Sequence, residues 1–143
     1  MKEILCFGDS NTYGLIPGTK ERYGRDTRWT GLLEQHLYEK GYRIIEEGLC
    51  GRTTVFEDEL REGRKGAALL PTLLESHAPI DRVVLMLGTN DCKSLYNASA
   101  EVIGLGIEQL LKQIRKIDSD TRILLISPIQ LLSLIHISEP TRL

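Results

Sequence analysis

The sequence predicts a doubly wound α/β layer fold, a parallel sheet covered by helices, and two observations carry that prediction. Short apolar runs alternate with stretches of helical periodicity in the order β-α-β-α-β-α-β. The runs 4–7, 83–87 and 123–126 are apolar throughout rather than alternating, as strands buried on both faces are. A chain of 143 residues is one domain's worth by the usual ~100–200 residues per domain.

Residues 4–7, Ile-Leu-Cys-Phe, form a short apolar run ended by Gly8-Asp9, which reads as a buried strand. From Arg28 the period changes. Trp29, Leu32, Leu33, His36 and Leu37 fall on one face of an amphipathic helix that Gly41 terminates. Residues 42–47, with Ile44 and Ile45, make a second strand, and the polar, glycine-bearing stretch 51–66 is a loop. Residues 67–77 carry Leu69, Leu70, Leu73 and Leu74 at helical spacing, with Pro71 expected in the first turn and Pro79 closing the element. Residues 83–87 are an unbroken apolar run stopped by Gly88, the clearest strand in the chain. Ser99 can cap a long helix through Ile117, with Val102, Ile103, Gly106, Ile107, Leu110, Leu111 and Ile114 on its inner face. Residues 123–126 are the fourth strand, ended by Ser127-Pro128.

A doubly wound unit calls next for another helix and a fifth strand, so the sheet is expected to lack its last strand and helix. Residues 131–143 have no cap and no clean period, and they resemble translated sequencing-adapter read-through. The expected organisation is therefore an incomplete domain over residues 1–130 and a non-native tail over 131–143.

Composition narrows the function classes. Hydrophobic residues at 41% and charged residues at 27% exclude wholesale disorder. Lysine and arginine total 18 against 20 acids, and a net charge of −2 gives no electrostatic case for nucleic acid or an anionic membrane. No apolar run approaches the ~20 residues of a spanning helix. Residues 1–7 are interrupted too quickly by Gly8-Asp9-Ser10 to read as a signal peptide. Cys6, Cys50 and Cys92 show neither disulfide-framework nor metal-ligand spacing, so Cys6 is expected in the core and the chain in a reducing cytoplasm.

In a parallel α/β sheet, ligands collect at the carboxyl ends of the strands. Three strands here end in small polar groups: Gly8-Asp9-Ser10-Asn11-Thr12-Tyr13-Gly14, Gly48-Leu49-Cys50-Gly51-Arg52-Thr53-Thr54, and Gly88-Thr89-Asn90-Asp91. A serine on a tight turn past a strand is exposed enough to attack a carbonyl. A glycine lets its backbone N–H come close to a substrate oxygen, and an asparagine amide supplies a second donor. Together such donors can make an oxyanion hole.

Those three blocks, in order and each at a strand end, resemble the first three blocks of the GDSL, or SGNH, hydrolases. Arg28-Trp29-Thr30-Gly31, Glu46-Glu47-Gly48-Leu49 and Met86-Leu87-Gly88-Thr89-Asn90-Asp91 resemble more narrowly the aryl esterase and acyltransferase branch, over about residues 3–128. The resemblance implies a flavodoxin-like three-layer α/β/α fold and a serine esterase acting on short-chain or aryl esters. It implies Ser10 as nucleophile, with the Ser10 and Gly51 amides and the Asn90 side chain as oxyanion hole. Asp9, Asn11, Gly88 and Asp91 would support the loops. It implies no metal or organic cofactor, a small-molecule ester as partner, and leaves room for a homo-oligomer. One departure is plain: the family's fourth block is Asp-x-x-His, and no aspartate of this sequence has a histidine three residues later. The general base is therefore expected to be missing, and this chain to be a crippled fragment.

Simpler readings stand beside these. Ser10 could only cap a helix, Gly51 only relieve a turn, and Asn90 only cap. Arg52 and Arg64 read as solvated charge, Trp29 as a packing aromatic, and His36 and His77 as helix residues without a path to Ser10. The alternative function is a flavodoxin-like nucleotide- or flavin-binding module using the Ser10-Asn11-Thr12 loop. It leaves Gly88-Thr89-Asn90-Asp91 unused, and no Gly-x-Gly-x-x-Gly or Walker sequence is present.

Overall fold

The structure, a computed structural model, describes residues 1–128; the expected boundary near residue 130 and the tail 131–143 lie outside the described residues. Along the chain run β1 (Lys2–Gly8), α1 (Ser10–Tyr13), α2 (Trp29–Leu37), β2 (Tyr42–Gly48), α3 (Gly66–Ser76), β3 (Arg82–Met86), α4 (Ala100–Ile117) and β4 (Arg122–Leu125). The sheet has the order β2-β1-β3-β4 and every pairing is parallel. This is the doubly wound α/β fold that the apolar strands predict.

Alternation along β1 explains why its residues 4–7 are all apolar. Leu5 and Phe7 face one layer, where Val83 and Leu85 join Leu70 and Leu74 of α3 and Leu110 and Ile114 of α4. Ile4 and Cys6 face the other, against Ile44, Val84 and the partly buried Trp29, Leu33 and Leu37. Phe7 is fully buried, and truncation of such a side chain to alanine costs about 3–5 kcal/mol.

Charge fastens α2 to the sheet. Glu46 on β2 accepts from Arg28 Nε at 2.7 Å and Arg28 Nη2 at 2.9 Å, from Arg25 Nη1 at 2.6 Å, and from the Thr30 hydroxyl. Glu34 on α2 accepts from Arg25 Nη2 at 2.7 Å and from the Ile44 amide at 2.9 Å. Arg28 Nη1 also holds the Tyr23 carbonyl at 2.8 Å, which ties down the long segment before α2.

Three expectations need correction. Pro71 lies in the second turn of α3, not the first, because the helix already starts at Gly66. Proline has no N–H for the Ala67 carbonyl four residues back; Gln113 Nε2 from α4 donates to that carbonyl instead, at 2.9 Å. His36 is exposed rather than on the inner stripe of α2. Val102 is 42% exposed, because the buried stripe of α4 is narrower than the periodicity suggests. That stripe is Gly106, Leu110 and Ile114, and the loop at Thr54 and Val55 passes under Gly106, one turn short of Val102.

At the far edge of the described sheet, Leu124 and Leu125 are 57% and 45% exposed. Register sets the level of the functional edge. Gly8 stands beside Gly48 of β2 and beside Met86 of β3, so three strands end side by side. The chain leaves β1 for β2 on one side and crosses back to β3 on the other. In such sheets the crevice for ligands forms at that switch point, outside the strands' carboxyl ends.

Candidate active site

The turn after β1 is built around a buried carboxylate. Asp9, 2% exposed, is the N-cap of α1 and accepts from the Asn11 amide at 3.0 Å. Ser10 is consequently the first helical residue and not the cap, which corrects the simplest reading of that serine. It is half-buried, and Asn11 beside it is exposed. Gly14, at φ +88°, ends α1 after a single turn. The helix can sit so low only over glycine: a Cβ at Gly48 would lie 2.2 Å from the Tyr13 nitrogen.

The segment after β2 is hung from the end of β1. The Leu49 amide donates to the Gly8 carbonyl at 3.1 Å. Gly51 follows at φ +84°, a backbone conformation glycine adopts freely. Arg52 is the residue the sequence reading misplaced. It is 3% exposed, not solvated, and its guanidinium lies 4.2 Å over the Phe7 ring. Its Nη1 donates to the Glu47 carbonyl at 2.6 Å and to the Gly8 carbonyl at 3.4 Å. Burial, ahead of all else, pulls its pKa down to about 10, so the group stays charged at neutral pH. No pattern around Arg52 signals this; its partners come from β1 and from the end of β2.

The segment after β3 closes onto that arginine. Asn90 Nδ2 donates to the Arg52 carbonyl at 3.0 Å. Next to it, the fully buried Asp91 accepts from the Thr54 amide at 3.1 Å and from the Thr54 hydroxyl. Burial pushes the carboxyls of both Asp9 and Asp91 above their usual range, and each is also held by the hydrogen bonds named. Gly88, at φ +127°, is packed so that a Cβ would meet Pro128 Cγ at 3.1 Å.

The loops of Gly51 and Asn90 are thus joined by hydrogen bonds to each other, and the Gly51 loop to the end of β1, which leads straight into Ser10. Among the described residues no histidine hydrogen-bonds to Ser10. His77 Nε2 lies 3.8 Å from Glu47 Oε2, and His36 is on the exposed side of α2.

Residues 6–141 match the model of the GDSL-like lipase/acylhydrolase family. The chain belongs to that family. Its solved relatives agree with the assignment. A carbohydrate acetylesterase from Sinorhizobium meliloti is 37% identical over 93% of this chain, with a TM-score of 0.88, and 66% of its own length is covered. The M. smegmatis aryl esterase is 38% identical over 93% of this chain, with a TM-score of 0.85 and 66% of its length covered. A family two carbohydrate esterase from Clostridium thermocellum, at 16% identity and a TM-score of 0.67, shares the fold alone; this chain covers 48% of it. The chain of this GDSL-like protein therefore spans just under two thirds of the first two relatives. A comparison with curated proteins found no match. No described helix is long and apolar enough to cross a membrane.

Proposed function

We propose that this GDSL-like protein is a serine esterase in which Ser10 attacks the carbonyl of a short-chain or aryl carboxylic ester. The Ser10 oxygen forms a bond to the carbonyl carbon, and the negative charge collects on the former carbonyl oxygen. The Ser10 and Gly51 amides and one N–H of Asn90 would receive that charge. Solvent water takes up the Ser10 hydroxyl proton as that bond forms and returns a proton to the departing alcohol on collapse, which leaves an acyl-enzyme that water or another alcohol resolves. Donors aimed at a developing oxyanion are worth ~2.7–4 kcal/mol each.

The observation that carries this reading is the Asn90–Arg52 hydrogen bond, which holds the asparagine amide against the residue following Gly51. A phosphate-binding role for the same crevice would leave that arrangement without a purpose, so the flavin or nucleotide alternative is not favoured.

The general base is the missing part. The 143 residues hold no Asp-x-x-His, and base assistance is worth ~10²–10⁴-fold. We therefore assign this chain slow ester cleavage, at least about a hundredfold below that of the same chain joined to a segment bearing that block. The test is covalent labelling by a serine-reactive fluorophosphonate, with hydrolysis of an aryl acetate measured in parallel. Labelling should be lost in Ser10→Ala. Labelling that persists in that variant overturns the assignment of the nucleophile.

A further inference from the structure

We infer that the crevice extends into a cationic cleft that selects small esters bearing a carboxylate or a similar oxyanion. This rests on the esterase reading and names the substrate class of that same site. The cleft, of about 480 Å³, opens between α1 and the loop carrying Gly51; that is an ordinary volume for a small-molecule site. Tyr13, one helical turn past Ser10, and Cys50, the neighbour of Gly51, both line it. Leu15 and Leu49 make it partly apolar. Its charged lining is Lys20, Arg61 and Arg64, with no carboxylate among the described residues that line it.

None of the three cations belongs to an ion pair among the described residues, where all the salt bridges involve other groups. Two of them stand at the oxyanion loop itself. Arg61 Nη1 is 2.5 Å, and Arg64 Cγ 3.4 Å, from the place a Cβ on Gly51 would take. Arg64 is held there, with Nε on the Cys50 carbonyl at 3.1 Å and Nη1 on the Glu62 carbonyl at 2.7 Å. Behind the Tyr13 ring, the Arg22 guanidinium adds a further positive charge at 4.2 Å from the ring centroid.

The chain as a whole carries a net charge of −2, so this concentration of cations is local. Like charges gathered without counter-ions repel one another, and an anion bound among them relieves the repulsion as well as gaining its own attraction. An ester with its carbonyl at Ser10 and an anionic end toward Lys20 and Arg61 matches both parts of the site. A neutral ester of equal size would gain only the apolar contact.

The experiment compares monomethyl glutarate, an anionic ester, with dimethyl glutarate, its neutral counterpart, binding to the full chain followed by amide NMR shifts. The anion should bind about tenfold more tightly, the scale of two or three screened charge contacts. Its shifts should centre on Tyr13, Cys50 and Gly51. The preference should fall to within about twofold in the Lys20→Gln/Arg61→Gln double variant, and at roughly 0.5 M salt in the unaltered chain. Arg64 is left in place because it braces the Cys50 carbonyl. Equal affinities, no binding of either ester, or a preference that survives both salt and substitution overturns the inference. Fluorophosphonate labelling of Ser10 separates the two readings. Labelling without anion preference removes the cationic site and keeps the esterase; anion preference without labelling does the reverse.

Discussion

The side-chain amide of Asn90 and the backbone carbonyl of Arg52 are joined by a hydrogen bond of 3.0 Å, across segments that follow different strands. An asparagine amide has two N–H groups. With one committed to the Arg52 carbonyl, the amide plane is fixed and the second N–H is left for a ligand. Asn90→Ala should therefore slow Ser10-dependent turnover or phosphonylation by about 10²–10³-fold. The loss in stability should be only about 1 kcal/mol. Asn90→Asp should unfold more easily than Asn90→Ala, since it turns an acceptor toward an acceptor. Denaturant melts alongside labelling rates check both; a labelling rate unchanged in Asn90→Ala removes the residue from the oxyanion hole.

Arg52 holds that carbonyl in place through its own side chain. Methionine at this position fills similar volume but leaves the Glu47 carbonyl without its donor and removes the contact over Phe7. Arg52→Met should lower stability by about 2–4 kcal/mol. It should also slow labelling of Ser10 by more than it weakens reversible ligand binding, because the displaced groups act on the oxyanion. Arg52→Lys keeps a charge but not the planar guanidinium that lies over Phe7, and should rescue only part of either loss.

Acid stability should depend on Glu46. The Arg28 guanidinium holds its carboxyl at about 2, against about 4.5 ordinarily. A depressed carboxylate contributes stability above its unfolded pKa and loses it as pH falls through the folded one. The loss should thus run from about pH 4.5 to about pH 2. Its size should be about 2 kcal/mol, reduced from the full linkage value because Arg25 is half in solvent and its contact is screened. Asp9 and Asp91 work in the opposite sense. Burial raises their pKa values, so their contribution is greatest at low pH and declines as pH rises through the folded values. Glu46→Gln should flatten the acid limb of a stability–pH curve, and Asp91→Asn should steepen it. An acid limb unchanged in Glu46→Gln would show that other carboxylates carry it.

The layer order and the level strand ends were legible because burial on both faces leaves a local signature: the apolar runs 4–7 and 83–87, both stopped by glycine. Gly8 and Gly88 also announced themselves, since a Cβ at Gly8 would run into Thr12 and the Met86 carbonyl, and Gly88 takes a φ of +127°. Arg52 and Glu46 were not legible. Whether a charge is buried depends on partners brought in by the fold, here Phe7 and the Gly8 carbonyl for Arg52, Arg28 and Arg25 for Glu46. Nothing in the residues flanking either one differs from a solvated charge. The cationic lining escaped for the same reason, because Lys20 and Arg61 lie on separate loops and meet only at the cleft.

Gln113 and Pro71 should prove coupled through the Ala67 carbonyl. Pro71 leaves the Ala67 carbonyl without its helical donor, and Gln113 Nε2 supplies one from α4. The other end of the same amide, Oε1, is buried with no partner among the described residues. Gln113 is therefore held in place by what it donates, at the expense of its own unsatisfied oxygen. Gln113→Ala should destabilise the chain by about 1–2 kcal/mol by orphaning that carbonyl. In a Pro71→Ala background the new N–H at position 71 can bond the Ala67 carbonyl within the helix. The same Gln113→Ala change should then cost about 1 kcal/mol less, and the double-mutant cycle should close with a coupling of that size. Strictly additive losses, measured by urea unfolding of the four proteins, would mean that Gln113 stabilises α4 by packing alone and that water already satisfies the carbonyl.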